Sequence, residues 1–400
     1  MNYKISLPGK APVADRKPHQ NTDHGITRTD NYHWLRADNW QEAMREPDKL
    51  PAAIQHYLLA ENQYCAEAMQ PLEQLQKDLI AEMRGRVQEQ DESLPEPDGA
   101  YAYCDRHIEG GEHPVYFRTD RDGGNEQLLI DINLEAEGHE YFSHDLVEHS
   151  PDHKTLAWSC DTSGAEYYRL FFRDIDSNKD SAIVIEDVGS AAWADGQTIY
   201  YTRVDENHRP DKVYRHTLGS DPSDDVLVYH EKDNRFFCDV YCSRSGKYLF
   251  IASGMDDQDE VWFIEVNADS DAAEQGAEPV LLEARAEGLE YSVDHQINDT
   301  ENRFVILSNT DGAQDFKLSV TPCDKPGRQH WTDYQPAQAG RMIHDFEVFR
   351  NWIMWLAVEN ALPAIYFAGT DGRVSKVAFE EEAYSLGLDA GLEYLSLIHI

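Results

Sequence analysis

One pattern recurs along this chain: a polar turn that leads into a run of β-formers. His149-Ser150-Pro151-Asp152-His153-Lys154 precedes Thr155-Leu156-Ala157-Trp158, and Trp193-Ala194-Asp195-Gly196-Gln197 precedes Thr198-Ile199-Tyr200-Tyr201. Cys242-Ser243-Arg244-Ser245-Gly246-Lys247 precedes Tyr248-Leu249-Phe250-Ile251, and Asn298 to Arg303 precedes Phe304-Val305-Ile306-Leu307. Phe349-Arg350-Asn351 leads in the same way into Trp352-Ile353-Met354-Trp355. With Leu156, Ile199, Leu249, Val305 and Ile353 taken as equivalent, and Ala102 as an earlier member, the steps run from 43 to 56 residues. Each of these strands, read as the first of its unit, is followed by a polar hairpin and a second aromatic or β-branched run. These second runs are Glu166–Phe172, Asp211–Arg215, Glu260–Ile264, Phe316–Val320 and Ala364–Phe367. Steps of roughly 40 to 50 residues with about four strands each are the spacing of propeller blades. An ordinary β-sandwich is the competing architecture, but six evenly placed units exceed what one sandwich needs. The pattern predicts a mainly β chain with a propeller over residues 91–394, about six blades and the opening of another. A ring closes only when all its repeats are present, so the expectation is an incomplete propeller.

Residues 1–90 differ in kind. Met1 to Asp23 is polar with scattered prolines and reads as an extended arm. From Pro51 the period turns helical, with Ile54, Leu58, Cys65, Met69, Leu72, Leu79 and Met83 recurring at threes, fours and sevens. Pro71 is predicted to split this stretch into two helices, with Gln70 ending the first. An apolar stripe needs a surface to cover it, and a helical arm has no core of its own. Its partner is either the propeller flank or a domain outside these residues. Arg84 to Asp98, charged and carrying Pro95 and Pro97, reads as a linker.

Charge limits the partners. The chain has 35 basic and 75 acidic residues, a net charge of −40, so a phosphate backbone would be repelled and nucleic-acid binding is disfavoured. Two readings of the acidity remain: a solvated surface, or a field that attracts cationic ligands such as basic peptides. No cleavable leader and no apolar run long enough to span a membrane is evident, so a soluble, cytoplasmic protein is expected. The 6 cysteines are sparse and lie mostly in strands or helices, which favours buried thiols over a disulfide framework. Cys238 and Cys242 read as packing residues, since no second pair stands at zinc spacing.

Motifs that carry chemistry are not found. There is no Gly-x-Ser-x-Gly elbow, no His-Glu-x-x-His, no P-loop and no Gly-x-Gly-x-x-Gly after a strand. Asp174-Ile175-Asp176-Ser177-Asn178 opens like a calcium loop, but Lys179 and Ile185 stand where Gly and Glu belong, so it reads as a hairpin turn. Asp256-Asp257-Gln258-Asp259-Glu260 reads as a solvated acidic loop. His149, His153 and His295 fall in loops or strand ends without a paired nucleophile. No catalytic, cofactor-binding or metal-ligating residue is assigned, and no cofactor is expected.

Arg28-x-Asp30-Asn31-Tyr32-His33-Trp34-Leu35-Arg36, preceded by His24-Gly25, resembles the N-terminal signature of the prolyl oligopeptidase family of serine peptidases. Within that family it is most similar to the oligopeptidase B (protease II) branch. Tyr57-Leu58 and Glu61-Asn62-x-Tyr64 fit the same pattern. Further matches are Val213-Tyr214-Arg215-His216 with Gly219, Glu231-Lys232-Asp233, and Glu290-Tyr291-Ser292-Val293-Asp294-His295. Ser308-Asn309 with Gly312 and Phe316, and Ala378-Phe379 with Ala383-Tyr384, continue the series. Each is weak alone; their order and spacing cover nearly the whole chain. The resemblance implies a seven-bladed propeller capping an α/β-hydrolase domain, with the helical arm packed on that domain. It implies that the serine, aspartate and histidine of the triad follow the propeller, so none can be assigned to a residue here.

Leu395-Ser396-Leu397-Ile398-His399-Ile400 matches what a sequencing adapter encodes in one frame, so residues 395–400 are expected to be a non-native tail. The expectation is an N-terminal portion of a serine oligopeptidase, inactive by itself. Its whole would cleave short peptides after Arg or Lys, with the propeller gating access and the C-terminal α/β-hydrolase domain as partner. The alternative is a non-catalytic propeller that binds or scaffolds.

Overall fold

The computed structural model describes residues 7–266 and 278–395, so the expected tail lies outside the described residues except for Leu395. Two compact units divide the chain: Met1–Asp91 with His107–Glu112, and Glu92–Arg106 with His113–Ile400.

The first unit holds the arm and helices. The expected extended arm contains a hairpin instead, His19–Asp23 paired with Ile26–Asp30. Its turn residues His24 and Gly25 have φ of 52° and 76°, the left-handed pair that a two-residue type I′ turn requires. Helices Ala52–Met69 and Glu73–Arg84 flank a 3₁₀ turn at Gln70–Leu72, the break that Pro71 predicts. The signature residues tie the arm down: Trp34 Nε1 donates to the Asp15 carbonyl at 2.8 Å, Lys17 lies over the Trp34 ring, and Trp34 meets Tyr57 edge-on. On the helices only Ile54 and Ala68 are buried, while Leu58, Leu79, Ile80 and Met83 remain exposed. Of the predicted apolar stripe, Ile54 is buried and Leu72 half-buried, while Leu58, Cys65, Met69, Leu79 and Met83 are exposed.

The second unit is a succession of antiparallel blades, four-stranded except for the first, whose sheet has five strands. Blade 1 comprises Asp91–Glu92 with Glu96–Asp98, then Tyr101–His107, Pro114–Asp120 and Gln127–Asp131. Blades 2 and 3 merge in one seven-stranded sheet through the 15-residue strand Lys179–Trp193. Val188 in that strand pairs with Tyr168 on one side and Arg203 on the other, and the register shifts just beyond it. A Cβ on Gly189 would stand 2.8 Å from Thr202 Oγ1, so glycine permits the close approach at this crossover. Blades 4, 5 and 6 begin at Phe237, Tyr291 and Arg341. Core clusters fill the interfaces of consecutive blades, from blades 1 and 2 through blades 5 and 6. Among the described residues no such cluster joins blade 6 back to blade 1.

All six residues taken as equivalent lie in matching strands and are at most 2% exposed. They belong, however, to the second strand of each blade. The true first strand precedes the polar turn: Ser143–His149, Phe237–Cys242, Tyr291–Ile297 and Arg341–Val348. Acids interrupt its β-forming pattern and hide it in the sequence. The expected linker is likewise an inner strand in part, since Glu96–Asp98 pairs with Tyr101–Tyr103. Pro97 is tolerated on an edge that needs no further donor. The Asp174–Lys179 segment is the predicted hairpin turn, and Cys238 packs in the core between blades 3 and 4.

The polar turns hold each inner strand to the next. Ser243 Oγ accepts the Lys247 and Tyr248 amides at 3.2 and 3.0 Å, and Ser150 Oγ accepts those of Lys154 and Thr155. Ser243→Ala is expected to cost about 1–2 kcal/mol by leaving the buried Tyr248 donor unmet. A urea titration followed by tryptophan fluorescence checks this; unchanged stability would contradict the role given to the turn.

Candidate functional site

The inner strands carry the acids that break the sequence pattern. Glu148 and Glu347 occupy the same register in blades 2 and 6, each one residue before the partner of Leu156 or Ile353. Asp294 stands opposite Val305 in blade 5. Two adjoining cavities run along these strands, of about 600 and about 540 Å³, and share Cys242 and Arg244. Glu96, Asp98, Asp105 and Glu148 line the first; Asp259, Glu290, Asp294, Asp345 and Glu347 line the second. Against these nine carboxyl groups the lining offers one guanidinium, that of Arg244.

Loss of water marks these acids. Burial pushes Glu148 and Asp294 up to about 7 and Asp259 up to about 6. Burial also raises Glu96 and Glu347. Asp294 Oδ1 accepts the His295 and Arg244 amides at 2.7 and 3.1 Å, yet these do not offset its loss of water. Burial raises the Cys242 thiol to about 12, so it is no nucleophile. The surface can attract cations and hold protons near neutrality; among the described residues it has no nucleophile–base pair.

Arg244 is shared: its Nη1 lies 3.5 Å from Glu347 Oε2, and the rest of its contacts are with backbone and a ring. Its guanidinium donates to the carbonyls of Ala390, Gly391 and Glu393, and lies over the Phe349 ring. Tyr394 Oη bonds both the amide and the carbonyl of Ile297, and Arg350 N donates to the Tyr394 carbonyl. Arg121 of blade 1 pairs with Glu393. Segment 390–394 thus links blades 1, 4, 5 and 6.

The sequence reading assigns none of these acids to a site. Its solvated acidic loop is only half right: Asp256 and Asp257 are exposed, but Asp259 lines the second cavity and Glu260 pairs with Arg285. His295 is fully buried between Ser245 Oγ and Asn302 Oδ1, a packing role. His149 and His153 come together beside Asp98. The one available signal is an acid placed two to eight residues before each polar turn, within an otherwise β-forming run.

Residues 12–393 match the family described as "Prolyl oligopeptidase, N-terminal beta-propeller domain". The chain belongs to that family. It is 31% identical over 411 residues to "Dipeptidyl aminopeptidase BI" of Pseudoxanthomonas mexicana, covering 96% of this chain and 53% of that protein. It is 28% identical to "Protease 2" of Moraxella lacunata, covering 95% and 53% respectively. The oligopeptidase B structure from Leishmania major superposes with a TM-score of 0.83 at 25% identity, over 93% of this chain and 54% of that one. The chain therefore spans about half the length of the curated relatives it matches. The superposition places the blades on a propeller of that family, and the family resemblance read from Arg28 to Arg36 holds.

Proposed function

We propose that this propeller belongs to a serine peptidase that cleaves short peptides after Arg or Lys, with the triad in the part of the relatives that this chain does not span. The observation that carries the reading is the cavity lining, nine carboxyl groups to one guanidinium. A cationic peptide entering there meets acids that burial has left short of counter-charge, and its arrival relieves them. Family membership supports the peptidase half of the reading. The bare Leu58, Leu79 and Met83 stripe supports a further domain as its cover. The propeller would admit only short, flexible chains and exclude folded proteins. We place the protein in the cytoplasm, a setting that the free cysteines among the described residues fit.

The test is the longer protein, obtained by extending the gene, assayed with fluorogenic peptides bearing Arg, Lys or Pro before the scissile bond. Arg and Lys peptides are expected to be favoured by at least about tenfold in kcat/KM, an advantage that shrinks as salt is raised. Glu148→Gln combined with Asp294→Asn should lower kcat/KM for dibasic peptides by about threefold to tenfold with little change for neutral ones. A preference for Pro would overturn the specificity; absence of hydrolysis by the longer protein would favour a binding module.

A further inference from the structure

We infer that Asp98, His149 and His153 form a binding site for a divalent transition-metal ion of the zinc class. Asp98 ends the inner strand of blade 1, His149 ends that of blade 2, and His153 sits in the turn that follows. One ligand atom from each lies within 4.8 Å of the other two, and His149 Nε2 is 2.8 Å from Asp98 Oδ2. Zinc ligands at about 2.0–2.1 Å from the ion stand roughly 3.3 Å apart in a tetrahedron, so small side-chain shifts suffice. Two imidazoles and a carboxylate suit zinc, cobalt or nickel better than magnesium or calcium. Three protein ligands leave a fourth position open.

The surroundings hold this arrangement. The Tyr103 ring stacks on His149 with centroids 3.8 Å apart and planes within 8°, and its hydroxyl lies 2.7 Å from His153 Nδ1. With Nδ1–H donating to Tyr103 Oη, the Nε2 lone pair of His153 is free to ligate, the outer-shell pattern that fixes metal-binding histidines. His149 must then carry its proton on Nδ1 in place of Nε2, so no net proton is lost. His153 adopts φ 60°, uncommon for a side-chain-bearing residue, and is pinned there by Arg118 on its carbonyl at 2.7 Å. Gly99, at φ 56°, keeps the approach to Nε2 open, because a Cβ there would stand 2.6 Å from that nitrogen. The neighbouring cations are occupied, Arg118 over the Tyr101 ring and Arg121 by Glu393 and the Gly99 carbonyl.

The experiment titrates zinc chloride into the chelator-treated 400-residue chain by calorimetry, with magnesium in excess to saturate diffuse binding to the acidic surface. One zinc per chain is expected. His149→Gln, His153→Gln and, with all ligands intact, Gly99→Ala should each weaken it by at least about tenfold, and Tyr103→Phe by about tenfold. Cobalt should give visible d–d absorption that the histidine variants lose. Should a histidine variant fail to fold, Gly99→Ala and Tyr103→Phe decide. Zinc displaced by magnesium, or unchanged affinity in the variants that fold, overturns the site.

Discussion

The melting temperature of this chain is expected to rise as the pH falls from about 8 to about 5.5, opposite to the trend of a protein held by ion-paired acids. Burial pushes Asp294 and Glu148 up to about 7 on the inner strands, and Asp259 up to about 6 on the third strand of blade 4. Their unfolded values lie near 3.8 and 4.5. Between those limits the folded state holds more protons than the unfolded one, so stability is lost as pH rises through the window. A tenfold change in proton affinity is worth about 1.4 kcal/mol; water in the cavities screens part of it, and burial holds His153 and His295 below their ordinary value, an opposing loss as the pH falls, which leaves on the order of 1 kcal/mol. The acids held low by partners, Asp233 and Glu359 at about 2, contribute stability that is lost only below the window. Asp294→Asn should keep both amide contacts at Oδ1, raise the melting temperature at pH 8 and flatten the slope. Differential scanning calorimetry across the range checks both; a melting temperature that falls steadily toward pH 5.5 would refute the account.

Glu231→Ala is expected to be among the most damaging single changes, at about 3–5 kcal/mol. Glu231 is 5% exposed and follows the last strand of blade 3. Its carboxylate accepts Ser253 Oγ at 2.6 Å, the Asp233 amide at 2.8 Å, and the Arg285 guanidinium. Arg285 in turn reaches Glu260 at 3.1 Å and lies 3.8 Å over the fully buried Phe236 ring. Burial pushes the Glu231 carboxyl up, but hydrogen bonds from Arg285 and Ser253 outweigh it and hold it below its ordinary value. Removing the carboxylate leaves a half-buried cation with one carboxylate partner, Glu260, and takes the acceptor from the Asp233 amide and Ser253 hydroxyl. Glu231→Gln, which keeps acceptors but not the charge, should cost about half as much. Chemical denaturation at pH 7.5 measures the difference, and a cost under about 1 kcal/mol for the alanine variant would contradict it.

The two networks differ in how far the sequence reveals them. Glu231-Lys232-Asp233 stands out by family resemblance before its partners are visible. Arg285 and Ser253, 54 and 22 residues downstream, cannot be paired with it until the blades are laid side by side. Asp98 and His149 are 51 residues apart and show no ligand spacing along the chain. His149 and His153 are noticed singly; the turn after blade 2's inner strand stacks them, and only the meeting of blades 1 and 2 brings Asp98 to them.

Local chemistry was enough to write the repeat. Buried second strands, polar turns with Ser or Asp at their heads, and the helix break at Pro71 all follow from side-chain periodicity and backbone preference, which act over a few residues. The sequence alone therefore determined the recurrence of the blade, the helical stripe and the family, but not where each blade begins. Tertiary structure decided what the blades enclose. An acid on an inner strand reads as an interruption in one dimension, and becomes a crowded, poorly hydrated carboxyl only when strands from five blades converge. Desolvation and charge crowding depend on distances across the fold, which no spacing along the chain records.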